Sequence, residues 1–253
     1  MSLHPWFLRD WHCRALALLV AVDLFGCSRA PATLEEVIER NTRAMGGQAA
    51  IEAVHSIQVD LHIVDPSFAV DGVYRAVRPG KMRIDIMSSG KHVFTEAFNG
   101  ERAWEGRDEA VATSPKAAAA LRHGVELPGK LFGLHEMQQR GQKLELSGRE
   151  TIAGVDYYVL RLTFADGYTT TLYVDPNTWL IARRRDVRPL HVDLDPTPVT
   201  IESRYSDFRA ISGVQFSFAN MDVDLATGKV LETTTVKSIL VNPAVAETIF
   251  EKL

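Results

Sequence analysis

The residues that could do chemistry in this sequence are few and far apart. His191, Asp193 and Asp195 alternate, and on a strand they would share one face, the arrangement of a weak metal or polar-ligand site. A solvated strand edge accounts for them more simply. None of the eight histidines stands in an HExxH motif or beside a cysteine pair, so no set has zinc-ligand spacing. Ser114, Ser147 and Ser203 lack the Gly-x-Ser-x-Gly context, and no glycine-rich phosphate loop occurs. Glu35 with Glu36, and Asp222 with Asp224, read as helix-dipole and strand-face charges. Arg183-Arg184-Arg185 alternates across a strand and is followed by Asp186, which suits a solvated face better than an anion site. The expectation is a protein with no catalytic residue, no metal and no cofactor, and so not an enzyme.

Chemistry of another kind is offered by Cys27. Arg9 and Arg14 precede an apolar run, Ala15 to Phe25, with the length and flanks of a secretory signal and too short to span a bilayer. The run ends Leu24-Phe25-Gly26-Cys27, which resembles the lipobox of bacterial lipoproteins. That resemblance implies a signal peptide over 1–26, palmitate-type acylation of Cys27, a tether over 27–32 and a domain over 33–253. Each buried acyl methylene contributes roughly 0.8 kcal/mol, so two or three chains hold a protein at a membrane. Ser28 rather than Asp follows the cysteine, which implies a lipid-anchored, periplasm-facing protein of the outer membrane. With Cys13 in the signal and Cys27 acylated, no internal disulfide remains. A net charge of -4 and the absence of a basic run exclude nucleic acid as a partner.

Stepping from these residues to the elements that carry them, 157–185 organises the chain. Tyr158, Leu160, Leu162 and Phe164 share one face of a strand, Asp166-Gly167 turns it, and Tyr168 to Val174 returns. Asp175-Pro176-Asn177-Thr178 turns again into a third strand, Trp179 to Arg185. Upstream, Thr33 caps a helix with one apolar face that Gly46-Gly47 stops, and short strands follow, punctuated by Pro79-Gly80, Ser89-Gly90 and Asn99-Gly100. Ser114-Pro115 opens a second helix. Strands resume at Lys143 and continue to Val241. Ten or eleven antiparallel strands are too many for a flat sheet, so the expected fold is mainly β with helices. The sheet is a strongly curved antiparallel one, an open half-barrel, with the helices covering its concave face.

The order of elements resembles the LolA/LolB-like outer-membrane lipoprotein-sorting family. The matching patterns are Met45-Gly46-Gly47 before the first strand, Phe98-Asn99-Gly100 with Trp104, and Asp166-Gly167 leading to Tyr173-Val174-Asp175 and Thr178. Tyr205-x-Asp207-Phe208, Gly213-Val214, and Val241-Asn242-Pro243 with Phe250 complete the set. The resemblance implies binding of lipid or lipoprotein acyl chains and lipoprotein or lipid handling, without catalysis. The alternative it carries is an RseB-like envelope sensor that binds a membrane-protein partner. Phe94, Phe98, Trp104, Leu131, Phe132, Leu160, Leu162 and Phe164 are the candidate lining of an apolar cavity. Leu127 to Met137, apolar yet broken by Pro128, Gly129 and Gly133, is expected to act as a displaceable plug over it.

Overall fold

Residues 32–107 and 109–251 are described by a computed structural model. Helix α1 (Leu34–Ala44) begins as its sequence dictates: the Thr33 hydroxyl accepts from the Glu36 amide at 3.2 Å, and Glu35 and Glu36 fill the first turn. Gly46 does more than end it. Its φ is +122°, and a Cβ there would lie 2.0 Å from the Gly213 carbonyl oxygen. Only glycine lets the helix end lie against the sheet, where the Gln215 amide donates to the Met45 carbonyl. A short helix, α2 (Gln48–Glu52), follows.

Strands β1 (Ser56–Asp65), β2 (Phe68–Val77), β3 (Lys81–Ser88), β4 (Lys91–Phe98), β5 (Ala103–Gly106) and β6 (Val111–Ala112) form one antiparallel meander. Strands β7 (Lys143–Ile152), β8 (Val155–Thr163), β9 (Thr169–Val174), β10 (Ile181–Arg188), β11 (Val199–Ile211), β12 (Val214–Asp224) and β13 (Val230–Val241) form a second. The two join where β13 pairs with β1, Ile57 opposite Val241, in one sheet of 13 strands. Edges β6 and β7 do not pair, so the sheet stays open. These edges are consecutive in the chain, so the segment between them must cross the gap. That segment holds α3 (Pro115–Glu126), capped by Ser114, and a 3-10 turn (Leu134–Glu136). Arg122 and His123 of α3 both pair with Asp166 in the β8–β9 turn, which ties the crossing helix to the second meander.

The open half-barrel agrees with the sequence, with two local differences. The third strand of the central ribbon begins at Ile181 rather than Trp179. Asp175 accepts from the amides of Asn177 and Thr178, and Trp179 sits at φ +60°, so the turn lasts two residues longer. Residues 191–195 are a turn rather than a strand, with Asp193 accepting from the Ser114 amide and hydroxyl.

Beyond β13, the Asn242 side chain accepts from the His55 amide at 2.7 Å and donates to the Ala53 carbonyl. The chain then crosses the convex face, where the Arg83 guanidinium donates to the Ile249 carbonyl and Phe250 is fully buried.

Candidate ligand-binding hollow

The pairing registers sort each strand into two faces. Ile57, Val59, Leu61 and Ile63 of β1 share the concave face with Ala76, Tyr74, Gly72 and Val70 of β2. Met82, Ile84 and Ile86 of β3 continue it, followed by Phe98, Glu96 and Phe94 of β4. Packing along this face is uneven. Ile57, Ala76, Met82 and Phe98 are buried, whereas Leu61, Val70, Ile84, Ile86 and Phe94 are only half-buried although they point inward. One part of the concave face is therefore filled, while the other, where Ile63 is buried but its neighbours are only half-covered, leaves a hollow with an apolar wall along β1–β4.

The filling comes from the crossing segment. Leu131, Phe132, Leu134 and Met137 are at most 1% exposed and belong to the same core as α1, α2 and the sheet. Arg78, at the end of β2, clamps this segment. It donates to the carbonyls of Val54 at 2.7 Å and Ile51 at 3.1 Å, to the Leu131 carbonyl, and to the Glu136 carboxylate at 2.5 Å. Glu136 also accepts from the Gly133 amide at 2.8 Å. Burial alone would raise the Glu136 carboxyl, but hydrogen bonds from Arg78 and Gly133 hold it below the usual carboxylate range. The guanidinium groups of Arg78 and Arg140 lie over the Phe132 ring at 4.5 and 3.6 Å. The segment read from the sequence as a plug does lie over the concave face. Its glycines and proline shape a loop that packing and a buried ion pair bolt in place.

The opposite wall is polar. Arg184 and Asp186 of β10, Ser203 and Tyr205 of β11, Asn220 and Asp222 of β12, and Glu232 of β13 face inward by the same alternation. Arg184 Nε lies 2.7 Å from Asp186 Oδ2 but off the line of a hydrogen bond, and Tyr168 donates to Asp186 Oδ1 at 2.8 Å. Lys130, from the crossing segment, reaches into the hollow with its Nζ 4.6 Å from the Tyr74 ring. Water reaches Lys130, yet protein surrounds it, and desolvation together with the Arg184 charge pulls it down to about 8. Glu96 and Glu105 lie directly opposite each other across β4 and β5. Burial and the Glu105 charge push Glu96 up to about 7.

No family model and no curated protein matches the chain. Solved structures do. A LolA superfamily protein from Nitrosomonas europaea aligns with TM-score 0.55 at 16% identity, over 88% of this chain and 99% of that one. A domain named for outer membrane lipoprotein sorting from Vibrio parahaemolyticus aligns with TM-score 0.56 at 10% identity, over 85% and 94%. The fold is LolA/LolB-like. A DUF1329 family protein from Desulfovibrio piger shares it, with TM-score 0.58 at 12% identity over 87% and 98%.

Within this LolA/LolB-like half-barrel the candidate lining residues fall in four places. Phe94 lies on the open apolar wall, and Phe98 is buried at its packed end. Leu131 and Phe132 sit in the bolted segment. Leu160, Leu162 and Phe164 face inward but are buried in the core, with His123 of α3 packed 4.8 Å from the Phe164 ring. Trp104 pairs with Ala97 on the convex face, the side crossed by the C-terminal segment. The alternation of β5 places Ala103 and Glu105 inward instead. Cys27 lies outside the described residues.

The arginine cluster splits. Arg183 and Arg185 point to the convex face, where both donate to the buried carboxylate of Glu202, while Arg184 points into the hollow. The solvated face read from the sequence is replaced by ion pairs on one side and the hollow on the other. A pocket of about 620 Å³ lies on the convex face between Arg75, Arg83, Asp85 and the C-terminal segment. Its arginines are already engaged by Asp85, Gln58 and the Ile249 carbonyl, which leaves little for a ligand. Among the described residues no group of three or more His, Cys, Asp or Glu is placed to hold a metal ion. Lys130 and the Glu96–Glu105 pair carry no sequence signal. Arg184 did have one, since the middle of three consecutive strand residues must face away from its neighbours.

Proposed function

We propose that this protein is a lipid-anchored envelope lipoprotein of the outer membrane, facing the periplasm. In this reading it binds an acyl chain in the hollow and takes part in lipoprotein or lipid handling by binding rather than catalysis. The observation that carries the reading is the half-buried apolar wall of Leu61, Ile84, Ile86 and Phe94 on the concave face of a sheet whose other end is packed. Apolar side chains turned inward yet open to water are where an alkyl chain gains contact, at roughly 25 cal/mol per Å² removed from water. The rim supports it. Phe68, Leu190 and Leu194 are 54%, 55% and 79% exposed beside the open end, as an apolar surface for exchanging a chain with a lipid environment requires. The fold shared with a domain named for lipoprotein sorting points the same way.

The test is organic extraction of the natively purified full chain with mass spectrometry of what is released, together with titration by a fluorescent fatty-acyl probe. Bound lipid and saturable probe binding that Ile86→Asp weakens are expected. Absence of both lipid and probe binding overturns the reading.

A further inference from the structure

Strands β10 and β11 pair as far as Arg188 opposite Val199, yet residues 189–198 join them where a tight turn would serve. The excess has a shape of its own. Pro189, Pro196 and Pro198 restrict the backbone, the Asp195 amide donates to the His191 carbonyl at 2.9 Å, and the Thr197 amide donates to the Asp195 carboxylate at 3.0 Å. The far end of this loop leaves the second meander. Asp193 accepts from the Ser114 amide at 3.0 Å and from the Ser114 hydroxyl, at the cap of α3, and His191 Nε2 stands 3.9 Å from Glu105 Oε2 on β5. In the sheet six strands separate β11 from β5, and Glu105 faces inward opposite Glu96, so these contacts are made across the mouth of the half-barrel. The loop is a strap over one end of the hollow.

The other boundaries of the hollow are fixed. Arg78 and Glu136 bolt the crossing segment at the packed end, and Arg122 and His123 tie α3 to the β8–β9 turn. The strap is held more lightly. Among the described residues none of 189–198 belongs to the core, Leu190 and Leu194 are exposed, and the polar contacts with the first meander and α3 are those to Glu105 and Ser114. A unit with so few buried contacts opens at lower free energy than the fold around it. Resting on the acyl-binding reading above, we propose that 189–198 is the gate of the hollow. Breaking the Asp193–Ser114 contact lets the strap swing away as a unit, and an alkyl chain enters beneath it toward Phe94 and Ile86, which face each other across β4 and β3.

The assay is stopped-flow binding of a fluorescent fatty-acyl probe to the full chain, because a strap that closes again over its ligand slows entry and exit together. Asp193 is exposed, so Asp193→Ala should fold normally. Its association and dissociation rates should each rise about fivefold, the worth of one net hydrogen bond, while Kd stays within about twofold. Asp193→Asn, which keeps an acceptor for the Ser114 amide, should fall between. Joining Ser114→Cys to Asp193→Cys with a short thiol-specific cross-linker, the linked peptides identified by mass, should slow both rates by about tenfold or more, and reductive release should restore them. Unchanged rates in the folded Asp193→Ala protein, or in the cross-linked one, overturn the gate while acyl binding stands. A faster dissociation alone, with weaker binding, makes Asp193 a ligand contact and likewise overturns the gate. Absence of probe binding to the parent overturns the acyl reading and the gate with it.

Discussion

Glu136→Ala tests whether the segment that fills the half-barrel is bolted or loose. Glu136 is 9% exposed at its side chain and holds Arg78, itself 21% exposed, as well as the Gly133 amide. Removing it leaves a guanidinium facing the carbonyls of Ile51, Val54 and Leu131 with no counter-charge. Breaking such a pair from one side costs about 3–5 kcal/mol. At about 2–4 °C per kcal/mol for a domain of this size, thermal denaturation at pH 7 should show Tm lower by roughly 6–20 °C. Glu136→Gln keeps an acceptor for Gly133 and should lose less. The pH dependence sharpens the test. The folded Glu136 carboxyl is held below its unfolded value, so its contribution is fully present above the unfolded carboxylate pKa, about 4.3, and is lost as pH falls through the lower folded value. The gap between parent and Glu136→Gln should therefore close in acid. A Glu136→Ala protein that melts with the parent at pH 7, or a Gln variant whose deficit persists unchanged in acid, would refute the clamp.

Gly46→Ala should destabilise by several kcal/mol, because its Cβ would meet the Gly213 carbonyl and its φ is left-handed, whereas Gly90→Ala, with open space around it, should cost only about 1–2 kcal/mol; paired denaturant titrations compare them. Cys27→Ser should abolish acylation and move the protein out of the membrane fraction; retention there with unchanged processing would count against lipid attachment.

What the sequence determined by itself is local. The Thr33 and Ser114 caps, the Asp166-Gly167 turn and the strand alternation that turns Leu160 and Leu162 inward depend on neighbours a few residues away, and they stand in the structure. So does the inward face of Phe98, which follows from period two once β4 is placed. Tertiary structure decided what depends on distant pairing. Joining β13 to β1 leaves β6 and β7 as the edges, and that forces 113–142 across the concave face. Arg78 then meets Glu136, 58 residues away, and converts a segment of flexible composition into a fixed floor. Trp104 faces outward because β5 runs Ala103–Gly106 with Ala97 opposite it, a register that its own few residues do not specify. Lys130 meets the Tyr74 ring only because the crossing segment lies over the sheet: contacts act across space, and no spacing along the chain records which groups the fold will bring face to face.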